Sequence, residues 1–565
     1  AREREIARAE QPVVKPDGIA LDMEPSDQES LSFRAAPAAP RRSAPAPRGD
    51  LGRTQSSPDP NRLLPGQTAP VTASNDAYLE EAAPSAIAPA PVIEAPSITQ
   101  TTNTEAFANE APASLKITQE TPVSTFSIDV DTASYALLRS SISGGQLPRP
   151  EQVRIEELVN YFPYDYPAPD AGEAPFRPTV STMQTPWNAD TQLVHIAIQG
   201  QLPAIDDRPP LNLVFLIDTS GSMNQPNKLP LLKQSLGLML GQLRPEDQVA
   251  IVAYAGSAGQ VLAPTSAAKQ ITILTALNGL GAGGSTNGQG GLQQAYAVAE
   301  TMQAEGEVSR ILLATDGDFN VGINNPDALK DFIADKRDTG TYLSVLGFGR
   351  GNLDDATMQA LAQNGNGQAA YIDTLTEAQK VLVDQLTGEL FPIAGDVKIQ
   401  VEWNPVEVAE YRLIGYETRA LAREDFNNDK VDAGELGAGH SVTAIYEVTP
   451  VGSPAQLSDP LRYAPAQAAE SNGELGFLKL RYKTPGAGES QLVEQPIAND
   501  LKSDAELSFA AAISGFGELL RGSTQLGGWS YEQAITLAQS GRGADEFGYR
   551  AEAIRLMRLA ASLGE

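Results

Sequence analysis

Asp218, Ser220 and Ser222 follow one another at a spacing of two inside the stretch LNLVFLIDTSGSM, residues 211–223. One carboxylate and two hydroxyls are hard oxygen donors, the kind that Mg2+, Mn2+ and Ca2+ prefer. Gly221 supplies the backbone freedom a short loop needs to turn its side chains toward one point. What precedes them fits the chemistry: residues 211–217 are mostly apolar without polar alternation, which suits a strand covered on both faces of a parallel sheet. Open α/β sheets bind their ligands at the carboxyl ends of such strands. The same residues also suit a turn followed by a helix cap, so the stretch alone leaves both readings open. Two later stretches add donors. GGSTN, residues 283–287, carries Thr286 in a glycine-rich loop between helical patterns, and RILLATDGD, residues 310–318, ends another apolar strand at Asp316.

Asp218, Ser220, Ser222, Thr286 and Asp316 together resemble the metal-ion-dependent adhesion site of the von Willebrand factor type A family, whose pattern is Asp-x-Ser-x-Ser, a distant Thr and a distant Asp. All five positions are filled in the right order. The resemblance implies one divalent ion, Mg2+ first and Mn2+ or Ca2+ as alternatives, with the hydroxyls coordinating directly or through water and the carboxylates often through water. It also implies an open coordination position that takes an Asp or Glu from a protein partner. The flanks FSIDVDTASYALLR, YRLIGYETR, EDFNNDKVDAGELGAGH and FAAAISGFGELLRGS are similar to the bacterial YfbK-like subfamily, over residues 121–563. Members usually carry a lipoprotein signal or a membrane anchor upstream. The resemblance therefore implies a periplasmic or outer-surface place in the cell envelope, held to the membrane only through such an anchor.

The elements that position these residues alternate. Strands at 211–217, 248–254, up to 316, 342–348 and 369–373 are separated by helical patterns at 228–243, 267–277, 288–302, 326–337 and 353–363. This predicts a doubly wound, mainly parallel α/β sheet with right-handed crossovers. Five segments follow: a disordered Pro/Ala-rich linker over 1–120, a flanking region over 121–205, the α/β module over 206–390, a β-rich region over 391–500 and a helical segment over 501–565. The strands near 124–198 are too few to bury a core alone, and those at 396–482 leave open edges. The two are expected to form one β-rich domain into which the α/β module is inserted. Asp131 or Thr132 is expected to cap the helix that follows, with Asp129 beside them. A second candidate metal loop, DFNNDKVDAGE, offers Asp425, Asn427, Asp429, Asp432 and Glu435. Its alternating donors suit Ca2+, although Lys430 stands where an EF-hand needs glycine; an acidic, solvated turn is the other reading.

Other chemistries fit poorly. Gly279, Gly281 and Gly284 have dinucleotide-loop spacing but follow a helix, and Gly347, Gly349 and Gly351 follow a strand without the required third spacing. The two histidines, His195 and His440, lie outside the α/β module. A Mg2+-dependent phosphate-ester hydrolase using Asp218 is an alternative, but the usual general acid two residues on is here Ser220. A structural or sensor protein with a vestigial metal site is a further one. The 565 residues carry 41 Lys and Arg against 71 Asp and Glu, a net charge of -30, which argues against nucleic acid or anionic lipid as a partner. Zero cysteines exclude a disulfide framework, a zinc-thiolate site and a cysteine nucleophile, and leave the type of anchor open. No run of eighteen apolar residues is present to span a bilayer. The chain starts at Ala1, as expected of a processed protein whose signal or anchor lay upstream.

Overall fold

The computed structural model describes residues 104–107, 111–170, 172–202, 208–317, 326–385, 390–459, 472–485 and 487–564. Four strands come first: β1 (Lys116–Ile117), β2 (Val123–Ser127), β3 (Phe176–Gln184) and β4 (Gln192–Gly200). Six belong to the central module: β5 (Leu211–Asp218), β6 (Gln248–Tyr254), β7 (Ala258–Ser266), β8 (Val308–Thr315), β9 (Thr341–Phe348) and β10 (Ala369–Ile372). Six more follow: β11 (Pro392–Trp403), β12 (Val408–Ile414), β13 (Gly434–Gly437), β14 (Ser441–Pro450), β15 (Glu474–Lys483) and β16 (Gln491–Ala498).

The central sheet has the order β10-β9-β8-β5-β6-β7, with β5 at its heart. Every pairing is parallel except that of β7, which runs antiparallel to β6 along one edge. Every residue of β5 is buried, as an apolar run without alternation requires. Leu213, Phe215 and Ile217 feed one core layer with the helices Leu229–Leu240 and Gln270–Asn278. Val214 and Leu216 feed the other with the helices Gly288–Met302 and Asp355–Asn364. The sheet is thus wrapped on both faces. The edge strand β7 is absent from the sequence reading, because it is largely exposed and contains Gly259 and Pro264, so its residues show no alternation.

The β-rich parts before and after this module share one core. In one sheet β4 pairs with β14, placing Ala197 opposite Thr443, and β1 pairs with β12. In the other, β2 pairs with β11, placing Phe126 opposite Ile399. Phe126, Ile196, Ile198, Ile399, Val401, Trp403 and Tyr446 fill the space between the two sheets. The helices Ala505–Arg521, Tyr531–Ser540 and Tyr549–Gly564 pack with the earlier helices Ala133–Ser143 and Ile155–Asn160 in a separate apolar cluster. Asp504 caps the first of them by accepting from Leu507 N, and Gly522 ends it at a φ of 69°.

Most of the expected linker lies outside the described residues, but its last part is placed. Ala106 bridges to Asp354, Thr104 N donates to the carbonyl of Gly351, and β1 lies on the sandwich edge, so the expectation of disorder does not hold for 104–107 or 111–120. Glu105 explains the docking, because its buried carboxylate is held by Arg350 and by Gly351 N at 2.9 Å. Among the described residues no helix is long and apolar enough to cross a membrane.

Candidate metal centre

Asp218 is the last residue of β5 and is fully buried. Its Oδ1 accepts from Ser220 N at 2.8 Å, and its Oδ2 accepts from the Thr315 hydroxyl at 3.3 Å. These bonds fold the loop back on itself, so the Ser220 and Ser222 hydroxyls meet at 3.0 Å. Thr315 ends β8 beside β5, and Asp316 follows it, also fully buried. The two carboxylates lie close enough to oppose each other's charge: burial first, and then Asp316, push the Asp218 carboxyl up to about 6, against the bonds from Ser220.

The loop carrying Thr286 is stitched to this one through the backbone. Gly283 N donates to Thr219 O at 2.8 Å, and Gly221 N donates to Gly284 O at 3.0 Å. Gly284 has a φ of 90°, which a residue with a Cβ rarely adopts. Thr286 itself is half-buried, two residues before the helix Gly288–Met302. Asp218, Ser220 and Ser222 thus stand at the carboxyl end of β5 and Asp316 at that of the neighbouring β8, while Thr286 stands on a helix-to-helix loop stitched to the first. Gly291 in that helix keeps the layer thin, since a Cβ there would fall 2.8 Å from the Tyr254 ring. Tyr254 lies opposite Asp218 in the β5–β6 register.

Sequence reasoning missed Lys228. It stands at the start of the helix Leu229–Leu240, is 1 % exposed, and sends its ammonium to Asp316 Oδ2 and Asn352 Oδ1, each at 2.9 Å. The signal was available, because a lysine at the front of an apolar helix opposes the helix dipole and needs a partner elsewhere. Asn352 and Thr315 carried no such signal.

The second candidate metal loop does not converge. Asp425 accepts from Ala422 N, Asp429 is held by Arg481 and Ser490, Asp432 pairs with Arg337 at 2.7 Å, and Glu435 accepts from Asn366 at 2.8 Å. Asn427 is exposed. The Lys398 ammonium takes the loop carbonyls of Asn428 and Asp425 at 2.6 and 3.2 Å, Arg481 and Arg337 hold Asp429 and Asp432, and burial, then Asp396 and Asp432, push the Glu435 carboxyl up to about 8. Of the two cap candidates, Thr132 occupies the N-cap position of the helix Ala133–Ser143 without a side-chain cap bond, and Asp131 turns elsewhere. It accepts from Ala369 N and from Arg419, which also holds Asp129. These two aspartates and Glu157 form a buried acidic group with oxygens within 4.8 Å of one another, flanked by Arg154 and Arg419. His195, in β4, is bonded to Tyr166 at 3.0 Å, and His440 to Gln368 at the amino end of β10 at 3.1 Å. Burial lowers both to about 4.

Comparison with known proteins agrees with this layout. The von Willebrand factor type A domain model matches residues 212–385, a von Willebrand factor model matches 101–195, and a model of the YfbK C-terminal region matches 388–563. The chain is 44% identical over 456 residues to the uncharacterized protein YfbK of Escherichia coli (strain K12), covering 79% of each protein. It belongs to the YfbK-like von Willebrand factor type A proteins. It also matches part of the human inter-alpha-trypsin inhibitor heavy chain H4, at 30% identity over 35% of this chain and 22% of that one. A solved von Willebrand factor type A structure from Catenulispora acidiphila aligns with a TM-score of 0.40 at 16% identity, covering 69% of this chain and 91% of that one. The YfbK-like chain therefore carries an interaction-type domain at its centre, inserted between flanks that have their own family models.

Proposed function

We propose that the protein is a non-enzymatic, divalent-cation-dependent protein-binding module of the bacterial cell envelope. The observation that carries this reading is the pair of fully buried carboxylates, Asp218 and Asp316, beside two hydroxyls that meet at 3.0 Å. Two buried carboxylates beside hydroxyl donors, one of them also held by the Lys228 ammonium, form a hard-oxygen set that suits Mg2+, and Mn2+ or Ca2+ after it. Asp218, Ser220, Ser222, Thr286 and Asp316 would hold the ion, which would offer an electrophilic position to an incoming carboxylate. The loop contacts fix the donors in advance, so ordering costs little on binding. The net charge of -30 disfavours a uniformly acidic partner, so the ligand is an exposed Asp or Glu on a neutral or basic protein surface. Attachment to the envelope would run through an anchor upstream of this chain.

A hydrolytic role for Asp218 has little to work with. Ser220 spends its amide and its hydroxyl within the loop, and the two histidines are engaged away from Asp218, His195 by Tyr166 and His440 by Gln368. Calorimetric titration with Mg2+, with Asp218→Ala as the control, followed by capture from envelope extracts with and without chelator, tests the reading. Wild type should bind one ion and its partner, and the variant and the chelated protein neither. Partner capture undiminished in chelator would overturn it, and Mg2+-dependent turnover of a phosphate ester would favour the hydrolase. A site that binds no ion would leave a structural role.

A further inference from the structure

The Lys228 ammonium is a cation already placed on a carboxylate of the proposed metal centre. Its position looks costly for a mere surface pair: it is 1 % exposed, it opposes the dipole of the helix Leu229–Leu240, and its stem needs a prepared corridor. Gly349 supplies that corridor, since a Cβ there would lie 2.4 Å from Lys228 Cε, and its φ of 78° keeps the chain out of the way. Asn352, three residues on, takes a second ammonium proton at 2.9 Å. The glycines at 347, 349 and 351, unfit for a phosphate loop, thus include one that houses a lysine.

We infer that Lys228 is a specificity-setting positioning residue: by engaging one oxygen of Asp316 it weakens the grip on the divalent ion and leaves the loaded site net positive, so that it captures carboxylates. This rests on the metal-centre reading above. Asp218, Asp316 and Lys228 together carry one net negative charge, which a divalent ion turns into one net positive charge. Without the ammonium the same site would hold its ion more tightly and end neutral. The lysine therefore moves two affinities in opposite directions, which a purely structural contact would not do.

The test is calorimetric titration of the full chain with Mg2+, in chloride and in acetate buffer, for wild type, Lys228→Met, Lys228→Gln and Lys228→Arg. The neutral variants should bind Mg2+ at least about tenfold more tightly than wild type, given the strength of a unit charge acting over a few ångströms in a partly buried site. Acetate should strengthen Mg2+ binding in wild type and do so less in the neutral variants, and Lys228→Arg should restore the wild-type pattern. A neutral variant that folds only with Mg2+ present shows the ion replacing the ammonium, which supports the inference. One that folds in neither condition overturns it. Wild type that binds Mg2+ with neutral variants of unchanged affinity and unchanged acetate response would sink this inference alone. If no variant and no wild type binds Mg2+, the metal-centre reading falls with it.

Discussion

At the scale of single residues, burial sets the charge states that matter. Glu156, in the helix Ile155–Asn160, is 1 % exposed and packs against Gly415, where a Cβ would lie 2.7 Å from its Oε2. Burial first, then the charges of Glu417, Asp129 and Glu157, push its carboxyl up to about 8. The folded protein therefore keeps a proton that the unfolded chain gives up above its ordinary value of 4.5. Stability from this group is full below that value and is lost as pH rises toward 8. Glu156→Gln should remove the slope, so the variant should gain on wild type by a few kcal/mol between pH 5 and 8, on the scale of roughly 1.4 kcal/mol per pH unit. Urea midpoints measured across that range check it, and parallel curves would refute it. Lys228 differs from the surface lysines in that its buried ammonium is held by the carboxylate of Asp316 at 2.9 Å.

At the scale of elements, apolar patterning was the legible signal. β5 and the helix Gly288–Met302 stand where a run without polar alternation and a helical period place them, and β6 and β9 do too. Asp218, Ser220 and Ser222 were legible because they are local, whereas Lys228 and Asn352 reach the site from separate elements through tertiary contacts. The exposed strand β7 lacked a pattern, and the acidic loop misled because its cations Lys398, Arg481 and Arg337 are distant in sequence. Residues 104–107 were hidden for the same reason, since their partners lie some 250 residues on. Glu105, bonded to Arg350 and Gly351, fastens this strap to the loop that also supplies Asn352. Glu105→Ala should cost about 1–3 kcal/mol locally, as lost charged hydrogen bonds do. Hydrogen exchange should rise in residues 104–107 and 350–355 and stay at wild-type levels in β5. Unchanged exchange in the strap would show that Glu105 does not hold it.

For the molecule as a whole, the inserted module is tied in at more than its two connections. Arg208 and Phe391, at its entry and exit, lie together with the guanidinium 5.4 Å from the ring centre, so the insertion leaves the sandwich continuous. A second tie runs through Arg139, which is 5 % exposed in the helix Ala133–Ser143. Its guanidinium bonds Asp373 and, at 2.7 Å, Glu377 at the end of the module, and at 3.2 Å Glu552 of the last helix. Tyr161 joins the same cluster at 3.1 Å. One side chain thus neutralises acids from two regions that fold around different cores, while Ala133, Ala136 and Leu137 of its helix pack into the module's own core. Arg139→Met keeps much of the stem but strands two buried carboxylates, a loss of about 3–5 kcal/mol where a buried pair is broken on one side. Because the stranded charges lie on the module side of the junction, that loss should fall on the coupling between regions. Calorimetric melting should show one transition in wild type and two in the variant, the earlier one belonging to the α/β module and rising on addition of Mg2+ if the ion binds there. A single transition, merely shifted downward, would mean that the shared apolar packing couples the regions without the arginine.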